Sequence, residues 1–432
     1  MVTGPLTTTL FKKPGAFLFL VLVSLIILPL HTSGCYGRRE LEDMSIATIV
    51  GVDKGEFKPL LVTTVIALPS KALRGGMGGG GGGGEDTQAT LILSAEGNTF
   101  LDALTQVTTM TSRLATTAHT QLVIIGEDIA RKDAGVILDV FSRNLEFRHN
   151  TLVTVSRGRA VEFIREFKSP EEAEPSEYLV KLLLSCNLEL GICPLISVHD
   201  FLIAHDTSEL EPWAPYFALA STSPADEKDV SEGRSSNQKS KDGTSSEKQD
   251  TTIVTILGAA VFKKTGSEIK MVGVLDTRET MGVNILRGDF KRGYMEIAMP
   301  NQPDKHTTLA FHHLSTSVRT SKQADVVFAI RFTASVEETT ARELDVSPEY
   351  HEKVVRTAER EMESLLTRSW SRLQAFDSDV TDLGMTVRKH FKTLQEWDEF
   401  DWPSKFKGVR AGYDVRISVL TSGFTFSPPS PR

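Results

Sequence analysis

Apolar and polar positions alternate along this chain in two rhythms, and the rhythms exchange places repeatedly. Ser45 to Val52 and Leu60 to Leu68 read as strands, and Ala89 to Ser94 is also strand-like. Thr99 to Leu114 brings Phe100, Leu104, Val107 and Leu114 onto one face at helical spacing, which predicts a helix. Gln121 to Ile125 returns to strand, Asp128 to Phe141 reads as helix, and Thr151 to Val155 is a short β-rich run. Arg159 to Phe167 and Glu177 to Leu184 follow as helices. Further on, Thr252 to Phe262, Tyr294 to Ala298, Thr307 to Leu314 and Ala324 to Val336 are predicted strands, bounded by turn residues such as Gly266, Pro300 and Pro303. Ser347-Pro348 then supplies an N-cap followed by proline at the first helical position. Val354, Ala358, Met362, Leu366 and Trp370 recur every fourth residue, flanked by Val355, Leu365, Leu373 and Phe376, so a helix is expected over 348–376. A stripe that wide belongs against a sheet. The alternation favours an α/β class with two to three mixed domains.

Two low-complexity segments interrupt this pattern. Residues 75–84 read GGMGGGGGGG and lack the lysine-serine/threonine ending of a phosphate loop, so a flexible loop insertion is expected. Pro224 to Asp250 holds 12 charged residues among 27 and only Ala225 and Val230 as aliphatics, too little apolar surface to repay ordering. It is read as a disordered inter-domain linker. The expected division is a signal peptide over 1–34, an N-terminal α/β domain over 35–223, the linker over 224–250, a C-terminal α/β domain over 251–425 and a tail over 426–432.

The beginning of the chain has its own pattern. Lys12 and Lys13 precede an apolar run from Ala16 to Leu30, and Thr32-Ser33-Gly34 lead into Cys35. A run of 15 residues with Pro29 near its end is short for a spanning helix, which needs about 20, so a cleaved targeting signal is expected. Cleavage before Cys35 would leave its thiol on the first residue, ready for a diacylglyceryl group; each buried CH2 of its chains contributes about 0.8 kcal/mol to membrane anchoring. Thr32 stands where such signals usually carry an aliphatic residue, which leaves an ordinary secretory signal as the other reading.

Charge and composition narrow the function. The chain of 432 residues carries a formal charge of −8, with 40% hydrophobic and 24% charged residues. Removing 1–34 takes away only Lys12 and Lys13 among charged groups, giving −10. An acidic chain without a basic stripe is a poor nucleic-acid binder, and its surface alone would not hold anionic lipid. Cys186 and Cys193 either form a disulfide or stay as free, buried thiols. With His199 and His205 they could also be written C-x6-C-x5-H-x5-H, a spacing unlike the tight pairs of structural zinc sites. Glu171-Glu172-Ala173-Glu174 and Asp377-Ser378-Asp379 are carboxylate clusters without calcium-loop spacing. His312-His313 fall in a predicted strand, where neighbours face opposite sides. Neither H-E-x-x-H nor G-x-S-x-G occurs, and no catalytic constellation, cofactor or metal is expected.

Several local strings resemble one family. Cys35-Tyr36-Gly37-Arg38-Arg39-Glu40-Leu41 is similar to the lipid-anchored start of the spore germinant receptor C-subunit lipoproteins, the Ger(x)C family, with Gly37 where the family tends to have Asp. Gln121 to Glu127, Phe141 through Arg148-Asn150-Thr151, and Gly258-Ala259-Ala260-Val261-Phe262-Lys263 with Gly273, Leu275 and Glu279 match in order. Asp382, Gly384, His390, Trp397, Phe400 and the strand Val415 to Val419 resemble the family's closing segment. The resemblance implies a three-domain α/β fold and a non-enzymatic subunit needed for receptor assembly and spore germination. Lipid at Cys35 would hold it on the outer face of the spore inner membrane. Its implied partners are an integral-membrane A subunit and a transporter-like B subunit. The alternative is a solute-binding lipoprotein of a transporter, which needs two lobes closing on a ligand.

Overall fold

Where four consecutive strands are buried on both faces, they read as unbroken apolar runs, and Leu122-Val123-Ile124-Ile125 shows the consequence. Leu122 and Ile124 enter one core while Val123 and Ile125 enter another. In the computed structural model the described residues are 43–68, 90–144, 146–169, 172, 174–221, 252–299, 302–322, 325–340 and 348–421, with six further positions between 15 and 24. Contacts divide the chain into two units, Met1–Met44 and Ser45–Arg432, and the second carries nearly all of the described residues. Cys35, the signal over 1–34, the polyglycine run, the segment 224–250 and the tail 426–432 lie outside or almost wholly outside the described residues.

The larger sheet has nine strands in the order β3-β2-β1-β5-β6-β7-β8-β9, with β4 also on β1. Its members are β1 (Met44–Lys54), β2 (Leu60–Ala67), β3 (Thr90–Gly97), β4 (Leu114–Thr116), β5 (Leu122–Gly126), β6 (Leu152–Ser156), β7 (Trp213–Ser221), β8 (Thr252–Thr265) and β9 (Glu268–Leu275). β1, β5, β6 and β7 run parallel, and antiparallel strands extend both flanks. One face is covered by α1 (Phe100–Thr108), α2 (Glu127–Asp133), α3 (Leu138–Arg143) and α6 (Val198–Asp206). The other takes α4 (Ala160–Glu166) and α5 (Pro175–Leu188), through Phe163, Ile164, Leu179 and Leu183. This is the mixed α/β architecture expected of the alternation.

Two sequence readings change in detail. The helix expected over 99–114 ends at Thr108, and Leu114 opens β4. Hydroxyls of Thr108, Thr109 and Thr111 bond back to the carbonyls of Leu104, Gln106 and Thr108, an alternative to continued helix. The helix expected over 128–141 is broken into α2, a 3-10 turn over Ala134–Ile137 and α3. Asp133 breaks it, its carboxylate accepting from the amides of Gly135 and Ile269. Beyond the charged segment the first sheet continues. β8 pairs with β7 along Trp213 to Ser221 and carries β9 with it. Gly258, at φ +123, sits at the register shift between β7 and β8, and a Cβ there would strike the Leu275 carbonyl.

The smaller sheet is β10-β11-β12-β13, comprising Arg292–Met299, Gln302–Thr320, Val326–Thr339 and Ala411–Thr421. Leu309, Phe311, Phe328, Ile330, Phe332, Val415 and Ile417 line its inner face. Against them lies α8 (Pro348–Phe376), whose Val354, Ala358, Met362, Leu366, Trp370 and Leu373 are all buried. α7 (Thr277–Arg287) wedges between α8 and the larger sheet. It starts in a capping box made by Asp276 and Glu279 and ends at Gly288 in the left-handed region, φ +80. Short helices α9 (Leu383–Arg388), α10 (Leu394–Phe400) and α11 (Trp402–Phe406) close the core with Trp397, Trp402 and Phe406.

Candidate functional site

Polar side chains converge inside this apolar body at two places. The first is the carboxyl end of the parallel strands, where open α/β sheets receive ligands. Here the chain fills it with its own groups. Asp53, at the end of β1 and 2% exposed, accepts from the amides of Ala160 at 2.7 Å and Val161 at 2.8 Å. These are the first amides of α4, whose own cap residue makes no side-chain capping bond. Burial raises the Asp53 carboxyl above its ordinary range, against the pull of those two amides. Glu127 opens α2 after β5 and accepts from the Tyr216 hydroxyl at 2.9 Å, the Gly158 amide at 3.2 Å and the Arg131 guanidinium. Burial opposes its ionisation, but these bonds outweigh that and hold it below the ordinary carboxylate range.

The second convergence joins the two sheets. Lys263 and Lys264 are neighbours on β8 and so reach opposite sides. The Lys263 ammonium donates to the Asp377 carbonyl at 2.7 Å and to its carboxylate, at the C-terminal end of α8. Lys264 donates to the carbonyls of Ala204, at 2.7 Å, and Thr207, at the end of α6. The Lys264 amide in turn donates to Glu211 at 2.8 Å. Glu209, 3% exposed, accepts from Arg388 at 2.5 Å. Arg287 lies over the Trp213 ring, 5.4 Å from its centroid, and bonds Asp289 at 2.8 Å, Asp382 at 2.7 Å and the Val380 carbonyl. Asp379 is almost fully buried and accepts from Thr381, the Gly384 amide at 2.9 Å and the Trp402 indole at 3.0 Å.

Electrostatically this junction is a dense set of pairs in low dielectric. Burial pushes Glu211 up to about 7 and raises Asp379 and Asp382, while it lowers Lys264. For Glu211 and Lys264, therefore, desolvation outweighs their mutual attraction. A cavity of about 120 Å³ sits beside Glu211, Trp213, Arg287 and Asp382. Each charged group already answers a backbone or side-chain partner, and the arrangement ties elements of the two sheets to one another. It fixes how the second sheet with α8 is held on the first.

The residues singled out in the sequence fall elsewhere or into structural roles. Cys35 lies outside the described residues. Cys186 and Cys193 are both buried, free thiols, and burial raises both above the ordinary thiol range. His199 stacks on His149 with ring centroids 5.7 Å apart, and His205 pairs with Asp206. Among the described residues no three His, Cys, Asp or Glu side chains are grouped to hold a metal ion. Glu172 pairs with Lys181 at 2.6 Å and Glu174 accepts from Ser176, while Glu171 and Ala173 lie outside the described residues. His312 is exposed, and His313 turns inward against Phe332. The sequence reading missed Glu209, Glu211 and Arg287. Their signal was slight: two lysines ending an apolar strand, and two glutamates flanking Leu210 before the Trp213 strand.

Comparison with known proteins covers most of the chain. Residues 37–219 match the family described as spore germination protein N-terminal domain, and residues 257–423 match spore germination B3/GerAC like, C-terminal. Spore germination protein KC of Bacillus subtilis (strain 168) is 29% identical over 201 residues, 46% of this chain and 48% of that protein, so the chain spans about half of its length. Spore germination protein GerQC of Bacillus cereus is 22% identical over 404 residues, 93% of this chain and 98% of that one. The crystal structure of the GerBC protein aligns with a TM-score of 0.49 and 14% identity, over 86% of this chain and 96% of that chain.

Proposed function

Because this chain belongs to the Ger(x)C family of spore germination proteins, we propose that it is the lipid-anchored C subunit of a nutrient germinant receptor, acting in assembly rather than catalysis. The carrying observation is that the two family domains together take in residues 37–219 and 257–423, with their first match two positions after Cys35. That is where a processed, acylated chain would begin. Among the described residues no helix is long and apolar enough to cross a membrane; attachment in this reading is through Cys35. Confinement beside an integral-membrane A subunit and a transporter-like B subunit raises effective concentration, so modest interfaces suffice. The site geometry supports the same reading, since its buried charges are spent on holding the two sheets together.

The test is palmitate labelling of the full chain and of Cys35→Ala in a spore-forming host, scored with nutrient germination. Loss of both label and nutrient response in the variant is expected. Unchanged labelling would remove the anchor, and a normal nutrient response in spores lacking the chain would remove the receptor role.

A further inference from the structure

The hairpin loop between β1 and β2 exposes an aromatic ring on a braced support. Phe57 is 89% exposed, although phenylalanine usually belongs in the core. Its loop is not slack. The Glu96 carboxylate on β3 accepts from three successive amides, Glu56 at 2.6 Å, Phe57 at 2.9 Å and Lys58 at 2.9 Å. These bonds hold that carboxyl below its ordinary range. Gly55 permits the turn, since a Cβ there would strike the Lys58 carbonyl. An aromatic side chain held out on a pre-ordered backbone loses little entropy when it is buried by a partner, which is what makes such residues anchors.

Beside the ring the surface opens into an apolar groove. Pro59 and Leu60 lead from the loop into a cavity of about 660 Å³, floored by Phe100 and Val140 and walled by Leu101 and Val136, each 45% exposed. The ionisable side chains that line it, Asp139 and Arg143, pair with each other at 2.6 Å, and Lys58 at its edge pairs with Asp102 at 3.3 Å. A rim without net charge offers nothing to an anionic bilayer, which is recognised through clusters of Lys and Arg. It suits an uncharged protein segment.

We propose that the Phe57 tip and this groove are the docking surface for a partner protein, and that the partner contributes an uncharged segment of aliphatic and aromatic side chains. The assignment rests on the receptor-subunit reading above. The ring seats in the partner while the partner's apolar side chains fill the groove, an exchange of knob and hole across one interface.

The experiment uses the full chain in native membranes, with a photo-crosslinking p-benzoylphenylalanine in place of Phe57, and in place of Leu314, 60% exposed on the smaller sheet, as control. Purification of the wild-type chain with its receptor subunits is measured beside Phe57→Ser and Leu101→Lys. Both substitutions alter exposed positions, and unchanged thermal unfolding verifies folding. The expected result is a cross-link from position 57, not 314, to one receptor subunit, and roughly tenfold less co-purified subunit in either variant. Equal co-purification of wild type and variants overturns the docking surface and leaves the receptor reading intact. A cross-link to lipid, or to a second copy of this chain, overturns the assigned occupant. If the wild-type chain brings down no receptor subunit, the receptor reading fails and the docking assignment falls with it.

Discussion

Replacing Glu211 by glutamine removes the ionisation that the junction between the sheets resists most measurably. Burial raises this carboxyl from 4.5 to about 7. A group whose folded value lies above its unfolded value contributes stability that is fully present below the unfolded value and is lost as pH rises through the folded one. For Glu211 the loss therefore falls between pH 4.5 and 7. At about 1.4 kcal/mol per pH unit the upper bound is roughly 3.5 kcal/mol, and partial solvent access brings the expectation to about 1.5–3 kcal/mol. Glutamine keeps an acceptor for the Lys264 amide but carries no charge to desolvate. Urea unfolding of wild type and Glu211→Gln at pH 5 and pH 8 reads the difference directly. The variant should be more stable than wild type at pH 8 by that amount relative to their difference at pH 5, where Glu211 is largely protonated in the folded protein and only the first part of the loss has occurred. Asp53, Asp379 and Asp382 are raised as well, so both proteins should lose stability at high pH, and only the gap between them belongs to Glu211. Parallel pH profiles would refute the reasoning, because they would mean that this carboxylate is as well solvated folded as unfolded.

Two further outcomes come from the packing. Leu366 is 0% exposed at the centre of the α8 stripe, so Leu366→Ala should cost about 2–5 kcal/mol in denaturant unfolding, and a cost under about 1 kcal/mol would show that α8 is not packed on the smaller sheet. Cys186 and Cys193 should react with a thiol reagent only after denaturation, both at once and without prior reduction; a requirement for reductant would reveal a disulfide between them.

How much of the fold and the junction is legible in the sequence differs by the range of the interaction. The α8 stripe, the strands at Leu60 and Leu122, and the α/β class are readable because each depends on the spacing of side chains within one segment. The 99–114 and 128–141 helices are overextended for the same reason, since periodicity does not register hydroxyls that bond backward or an Asp133 that captures the amide of a distant strand. β7 escapes a sequence reading because Pro215 interrupts it, yet its place between β6 and β8 makes it a strand.

By itself, then, the sequence determined the class of the fold, the apolar stripes and the thiol on which the proposed anchoring depends, all properties of neighbouring residues. Only the tertiary structure decided that β8 and β9 pair into the first sheet beside β7, and that Glu209, Glu211, Arg287 and Asp382 meet. Those facts depend on which distant segments exclude water from one another. A charged residue's environment is set by what is packed against it, and no local spacing carries that information.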